Sequence, residues 1–172
     1  MRFSIAIVLI FFILGFSYSI EKNNIEKCYA FFEKEKYLRS YECFKAEKDN
    51  IFYPYALYFA LLQADTLGLK TTEIEKDLSL YEDIAITHYS YLFLTRKYLD
   101  KDLKKASYYL SKIDDKALKK EDIPIYLFLK SKILEAKGLL NEALKIEKKL
   151  ATEYPYDRFY GYKTLREIAP YL

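Results

Sequence analysis

His88 is the one imidazole in a chain of 172 residues, and Cys28 and Cys43 are its two thiols. A zinc or iron centre needs three or four converging ligands, and a nucleophile needs a base held at hydrogen-bonding distance. A single histidine between Thr87 and Tyr89, in a stretch of helical pattern, supplies neither and reads as a packed helical side chain. Paired carboxylates can divide acid and base work, and three pairs stand close in sequence: Asp100 with Asp102, Asp114 with Asp115, and Glu121 with Asp122. Each falls at an expected helix boundary, where carboxylates accept from unpaired N–H groups and favour the helix dipole; capping is their expected role. The doublets Lys104-Lys105, Lys119-Lys120 and Lys148-Lys149 alternate with acids and have no glycine-rich phosphate loop beside them, so they read as solvated faces. These residue types predict a chain that is not an enzyme and holds no metal and no cofactor. The 28 Lys plus Arg and 25 Asp plus Glu are interspersed rather than blocked, which gives nucleic-acid binding no support.

What the two cysteines do depends on compartment. Arg2 precedes an apolar run from Phe3 to Phe16, followed by Ser17-Tyr18-Ser19, a small-x-small pattern of the kind signal peptidase cuts after. The expectation is export, with residues 1–19 as a cleaved signal and 20–172 as one mature domain. The periplasm is the expected destination, on the strength of the family resemblance given below. Uncleaved, the same segment would serve as an anchor, since a spanning helix needs about 17 to 25 residues; otherwise no membrane contact is expected. Two cysteines of a small exported domain are more often bonded than free. An expected hairpin turn near Glu35 and Lys36 sets Cys28 and Cys43 level on antiparallel helices, which predicts a Cys28–Cys43 disulfide. Two buried thiols acting as small hydrophobes are the other reading.

The elements that must position these residues are helices. Four Gly and four Pro are too few turn formers for an all-β fold, and 52 % hydrophobic residues, including 19 Tyr and 12 Phe, exclude disorder. From Asn24 onward apolar residues recur at three- and four-residue spacing. The pattern predicts helices over 24–35 and 37–48, 53–67 and 72–80, 82–99 and 102–113, and 122–137 and 139–153, with a ninth over 157–169. Gly68 and Gly138 fall at expected helix ends, Pro124 in a first turn, and Pro155 and Pro170 just past ends.

Short loops force antiparallel neighbours, and a fixed period of helix pairs signals a stacked solenoid. Leu103, Ala106, Leu110 and Ile113 recur 37 positions on as Leu140, Ala143, Glu147 and Leu150, with Glu147 the one mismatch. From Pro124 to Asp157 the spacing of Ser131, Leu134, Gly138, Ala143 and Pro155 resembles a degenerate tetratricopeptide repeat, with Ser131 and Ala143 at the small positions 8 and 20. In that register Cys28 and Ser40 take the same two positions in the first pair. The resemblance implies an all-α, right-handed α-solenoid of about four antiparallel helix pairs plus a terminal helix. Further on, Ala136-x-Gly138, Glu142-Ala143, Leu150-Ala151 and Phe159-Tyr160-Gly161-Tyr162 resemble the end of a repeat in the superhelical region of soluble lytic transglycosylases. No Glu-Ser pair and no Gly-Leu-Met-Gln stretch occurs, so this likeness implies a non-catalytic relative.

In such a superhelix the first helix of each pair lines the concave side. That register places Tyr29 and Phe32, Tyr58, Tyr91 and Tyr98, and Phe128 and Lys132 on the inner surface. Tyrosine is an amphipathic anchor common at interfaces, although a chain with so many aromatics also places them in its core. The expected function is that of an exported scaffold that binds a protein or peptide partner through a concave aromatic face. The alternative is a cell-wall accessory that binds peptidoglycan or a separate catalytic partner.

Overall fold

The computed structural model describes residues 24–157 and residue 160. The expected signal segment, and the expected ninth helix apart from Asp157 and Tyr160, lie outside the described residues. Among those described, every regular element is helical, with eight α-helices, two single-turn 3-10 helices and no strand. The chain divides into two compact units, Met1–Tyr81 and Glu82–Leu172.

The first unit holds α1 (24–33), α2 (Tyr37–Phe44), α3 (Tyr53–Thr66) and α4 (Thr72–Leu78). Helix α1 ends in a left-handed turn at Glu35, φ 56°, where the Lys36 N–H reaches the Phe31 carbonyl at 2.9 Å, the six-to-one bond of a Schellman cap. The chain then returns antiparallel. Phe32 meets Tyr37 at one end, with ring centroids 5.1 Å apart, and Cys28 is bonded to Cys43 at the other, with Cα atoms 5.3 Å apart. Between these ties, buried Ser40 donates its hydroxyl to the Cys28 carbonyl at 3.0 Å. A small side chain there lets the two backbones approach.

The sequence pattern carries α2 on to residue 48, but it stops at Phe44. The Glu47 N–H turns back to the Phe44 carbonyl, and the Lys48 carbonyl is taken by the Tyr81 hydroxyl at 2.8 Å. Asn50 then accepts from the Phe52 N–H at 2.9 Å and leads into α3, whose Pro54 sits in the first turn, where its missing N–H leaves no bond unmade. Helix α3 is the unit's centre, with Tyr53, Ala56, Leu57, Ala60, Leu61 and Ala64 all buried. It packs on α1 through Phe59 and Phe32, and on α2 through Gln63, which accepts from the Leu38 N–H. Gly68, φ 67°, closes it with a second Schellman cap, Leu69 N–H to Ala64 carbonyl at 2.8 Å. Helix α4 then returns against α3 and α2.

The second unit holds α5 (Ala85–Tyr98), α6 (Leu103–Ser111), α7 (Ile123–Ala136) and α8 (Leu140–Glu153). Single 3-10 turns at Asp115–Ala117 and Lys120–Asp122 lie between α6 and α7. Asp102 caps α6 by accepting from the Lys105 N–H at 3.1 Å, and Asp114 caps the first 3-10 turn through the Lys116 N–H at 3.0 Å, the role expected of both. Asp122 departs from that expectation. It makes no cap and instead accepts from the Tyr89 hydroxyl at 3.0 Å, fastening the start of α7 to α5. Gly138, φ 76°, turns α7 into α8 with a third Schellman cap. Ala106, Ser131 and Ala143, the small residues of the repeat register, are all buried.

Candidate binding surface

Three of the expected surface residues meet in the first unit. Phe32 of α1 packs edge-on against Phe52 at 4.7 Å and Phe59 at 5.1 Å, while Tyr29, one turn earlier, meets Phe52 at 4.8 Å and Phe44 at 5.3 Å. Tyr58 of α3 joins through Phe59 at 5.2 Å, and Tyr37 stacks on Phe59 at 5.0 Å. Tyr29, Phe32 and Tyr58 are each half-buried. One side of each ring therefore packs into the unit while the rest stays available to solvent. Such a pre-packed layer has already lost its rotamer freedom, which lowers the entropic cost of binding.

In the second unit Tyr91 belongs to the core, at 2 % exposure, and not to an open face. It stacks on Tyr109 at 6.0 Å, and burial followed by the charge of Glu82 pushes its phenol up. Tyr98, two turns on along α5, is half-buried and stacks on the same Tyr109 ring at 5.9 Å with Lys105 4.6 Å from its own ring. On α7, Phe128 and Lys132 stay together. The Lys132 ammonium lies 5.6 Å from the Phe128 ring and pairs with Glu135 at 2.9 Å and Glu147 at 3.6 Å. Tyr160 packs on Phe128 at 5.0 Å, and its N–H donates to Asp157 Oδ1.

Two buried acids escape the capping rule. Asp77 of α4 accepts from the Tyr53 hydroxyl at 2.7 Å and the Tyr41 hydroxyl at 3.4 Å, and pairs with Lys48 at 3.3 Å. Burial alone would raise its carboxyl, but the bonds from Tyr53 and Lys48 outweigh that and hold it below the usual range. Glu147 goes the other way. Burial pushes its carboxyl up, the neighbouring Glu135 adds to the rise, and Lys132 opposes it. A sequence signal existed for each: Asp77 lies three positions after Ile74 on the buried side of α4, and Glu147 is the mismatch of the 37-residue repeat. His88 is buried on α5, where its Nδ1 accepts from the Asp114 N–H at 3.2 Å. Among the described residues no three His, Cys, Asp or Glu side chains gather as metal ligands, and no helix is long and apolar enough to cross a membrane. No family model matches this chain, and neither does a characterised protein or a solved structure.

Proposed function

We propose that the chain is an exported, non-catalytic helical-repeat scaffold that binds a protein or peptide through aromatic faces on the first helices of its pairs. The observation that carries this reading is the layer of Tyr29, Phe32 and Tyr58, three half-exposed rings from α1 and α3 tied into one packed surface. The proposed architecture is a right-handed tetratricopeptide-like solenoid. It is supported inside each unit by helix hairpins with small residues buried in the paired helices, and by α3 packing on both helices of the pair before it. The bonded cysteines agree with an oxidising compartment.

Binding of extended and denatured polypeptides, followed through tyrosine emission in a chain without Trp, tests the function against purified peptidoglycan as the second arm. Polypeptide binding that weakens at least fivefold in Tyr58→Ala, with an unchanged melting transition, is the expected result. Binding to peptidoglycan alone would move the protein to the cell-wall reading, and binding to neither would remove the aromatic face as a recognition surface.

A further inference from the structure

A disulfide is opened by a thiolate that reaches one of its sulfurs, and access decides which sulfur that is. The two halves of the Cys28–Cys43 bond are unequal in this respect. Cys28 is 1 % exposed beneath the α1–α2 contact, with its carbonyl taken by Ser40. Cys43 is half-buried and lines an open groove of about 480 Å³ together with Lys27, Phe31, Leu38, Arg39 and Glu42. Phe31 and Leu38 give the groove apolar walls. Lys27 and Arg39 are both exposed. Among the described residues that line it, the one acid, Glu42, shares its charge with Lys45 at 3.8 Å, which leaves their sum net positive.

We propose that this groove is a thiol-exchange site, in which a small anionic thiol is drawn by Lys27 and Arg39 and attacks Cys43 rather than Cys28. The incoming thiolate forms a new bond to Cys43 Sγ as the Cys28–Cys43 bond breaks, and the electron pair leaves on Cys28 Sγ, which takes a proton from water. A second thiolate attacks the external sulfur of that adduct and departs with it as a small disulfide, the electron pair of the broken bond staying on Cys43 Sγ, which takes a proton from water. Two small thiols are oxidised and one protein disulfide is reduced. The fold does not have to open for this. With the bond cut, α1 is still held by Tyr29 on Phe44 and Phe52 and by Phe32 on Tyr37 and Phe59.

The test uses the folded, disulfide-intact chain. Reduction rates, expressed per thiolate and divided by the same thiol's rate with a small neutral disulfide to remove its intrinsic nucleophilicity, are compared for mercaptoacetate, which is anionic, and cysteamine, which is cationic. The expected rates rise linearly with thiol and stay flat at low denaturant. Mercaptoacetate should be faster by about three- to tenfold at low salt, a gap that closes at high salt. Replacing Lys27→Ala and Arg39→Ala together should abolish the gap with the disulfide and helix content intact. Equal rates for the two thiols, or rates that saturate with thiol and climb with denaturant as unfolding does, would overturn the proposal. Regiochemistry is read from the single-cysteine variants and an aromatic disulfide reagent. Cys43 in Cys28→Ser should react nearly as fast as in the denatured chain, while Cys28 in Cys43→Ser should be protected by about 100-fold. The reverse order counts against the site, and the wild-type kinetics decide the matter without either variant.

Discussion

Asp77 and Glu147 both sit on the buried side of a helix, and their surroundings push them in opposite directions. A carboxyl held below its unfolded value of about 3.9 contributes stability that is complete above that value and is lost as pH falls through the folded one. A carboxyl held above its unfolded value of about 4.3 contributes stability that is complete below that value and is lost as pH rises through the folded one. On acidification from pH 7 towards 4, the second unit should therefore gain protection around α7 and α8. The first unit should hold level around α3 and α4 and weaken only below about pH 4. Urea melts at stepped pH, read segment by segment through hydrogen exchange, check both slopes. Asp77→Ala leaves the Tyr53 hydroxyl buried without its acceptor and should cost about 1 to 3 kcal/mol. Glu147→Leu restores the repeat's apolar pattern, leaves Lys132 its pair with Glu135, and should stabilise by about 1 kcal/mol at pH 7, seen as a higher melting temperature. That these acids face inward is legible from their spacing. Their partners are not, because Tyr41, Tyr53 and Lys48 lie 36, 24 and 29 residues from Asp77, and only the returning helices bring them together.

At the scale of elements, the helix ends that the sequence announces correctly are those marked by residues with special backbones. Gly68 and Gly138 adopt positive φ, Pro124 stands in a first turn, and Pro155 follows the end of α8. The turn after α1 is placed correctly at Glu35, yet its chemistry is hidden, because Glu35 takes the left-handed conformation that glycine adopts at the other two caps. An L-residue there costs roughly 1 to 2 kcal/mol against glycine, part of which returns through the greater unfolded-state entropy of glycine. Glu35→Gly should therefore raise stability by about 1 kcal/mol, measured as a shift of the urea midpoint at constant slope. The early end of α2 has no marker of its own. Residues 45–48 continue the helical pattern, yet the chain leaves the helix after Phe44, with the Glu47 N–H on the Phe44 carbonyl and the Lys48 carbonyl held by the Tyr81 hydroxyl across 33 residues. Among the surface candidates, α-helical spacing alone could not separate Tyr91, which is buried, from Tyr98, which stacks on the same Tyr109 ring but is itself half-exposed. Two rings seven residues apart fall on the same helix face, and burial is decided by the depth of the partner helix.

Across the whole molecule, the all-helical class follows from composition and periodicity, whereas the division into two compact units at Tyr81 and Glu82 carries no glycine, proline or change of charge to announce it. The disulfide closes a 15-residue separation wholly inside the first unit. In the chain-entropy model a loop of that length contributes about 3 kcal/mol by restricting the unfolded chain, and it restricts only the part of the chain that contains the loop. Reduction should therefore act locally. In Cys28→Ala with Cys43→Ala, hydrogen exchange should quicken in α1 and α2 by up to about 100-fold, the equivalent of that free energy. Exchange in α7 and α8, which share neither the loop nor its aromatic cluster, should keep its wild-type rate. The contrast separates two ways of holding the chain together. If α8 lost protection in step with α1, the units would unfold as one cooperative body, and the crosslink would stabilise the entire chain instead of the hairpin it closes.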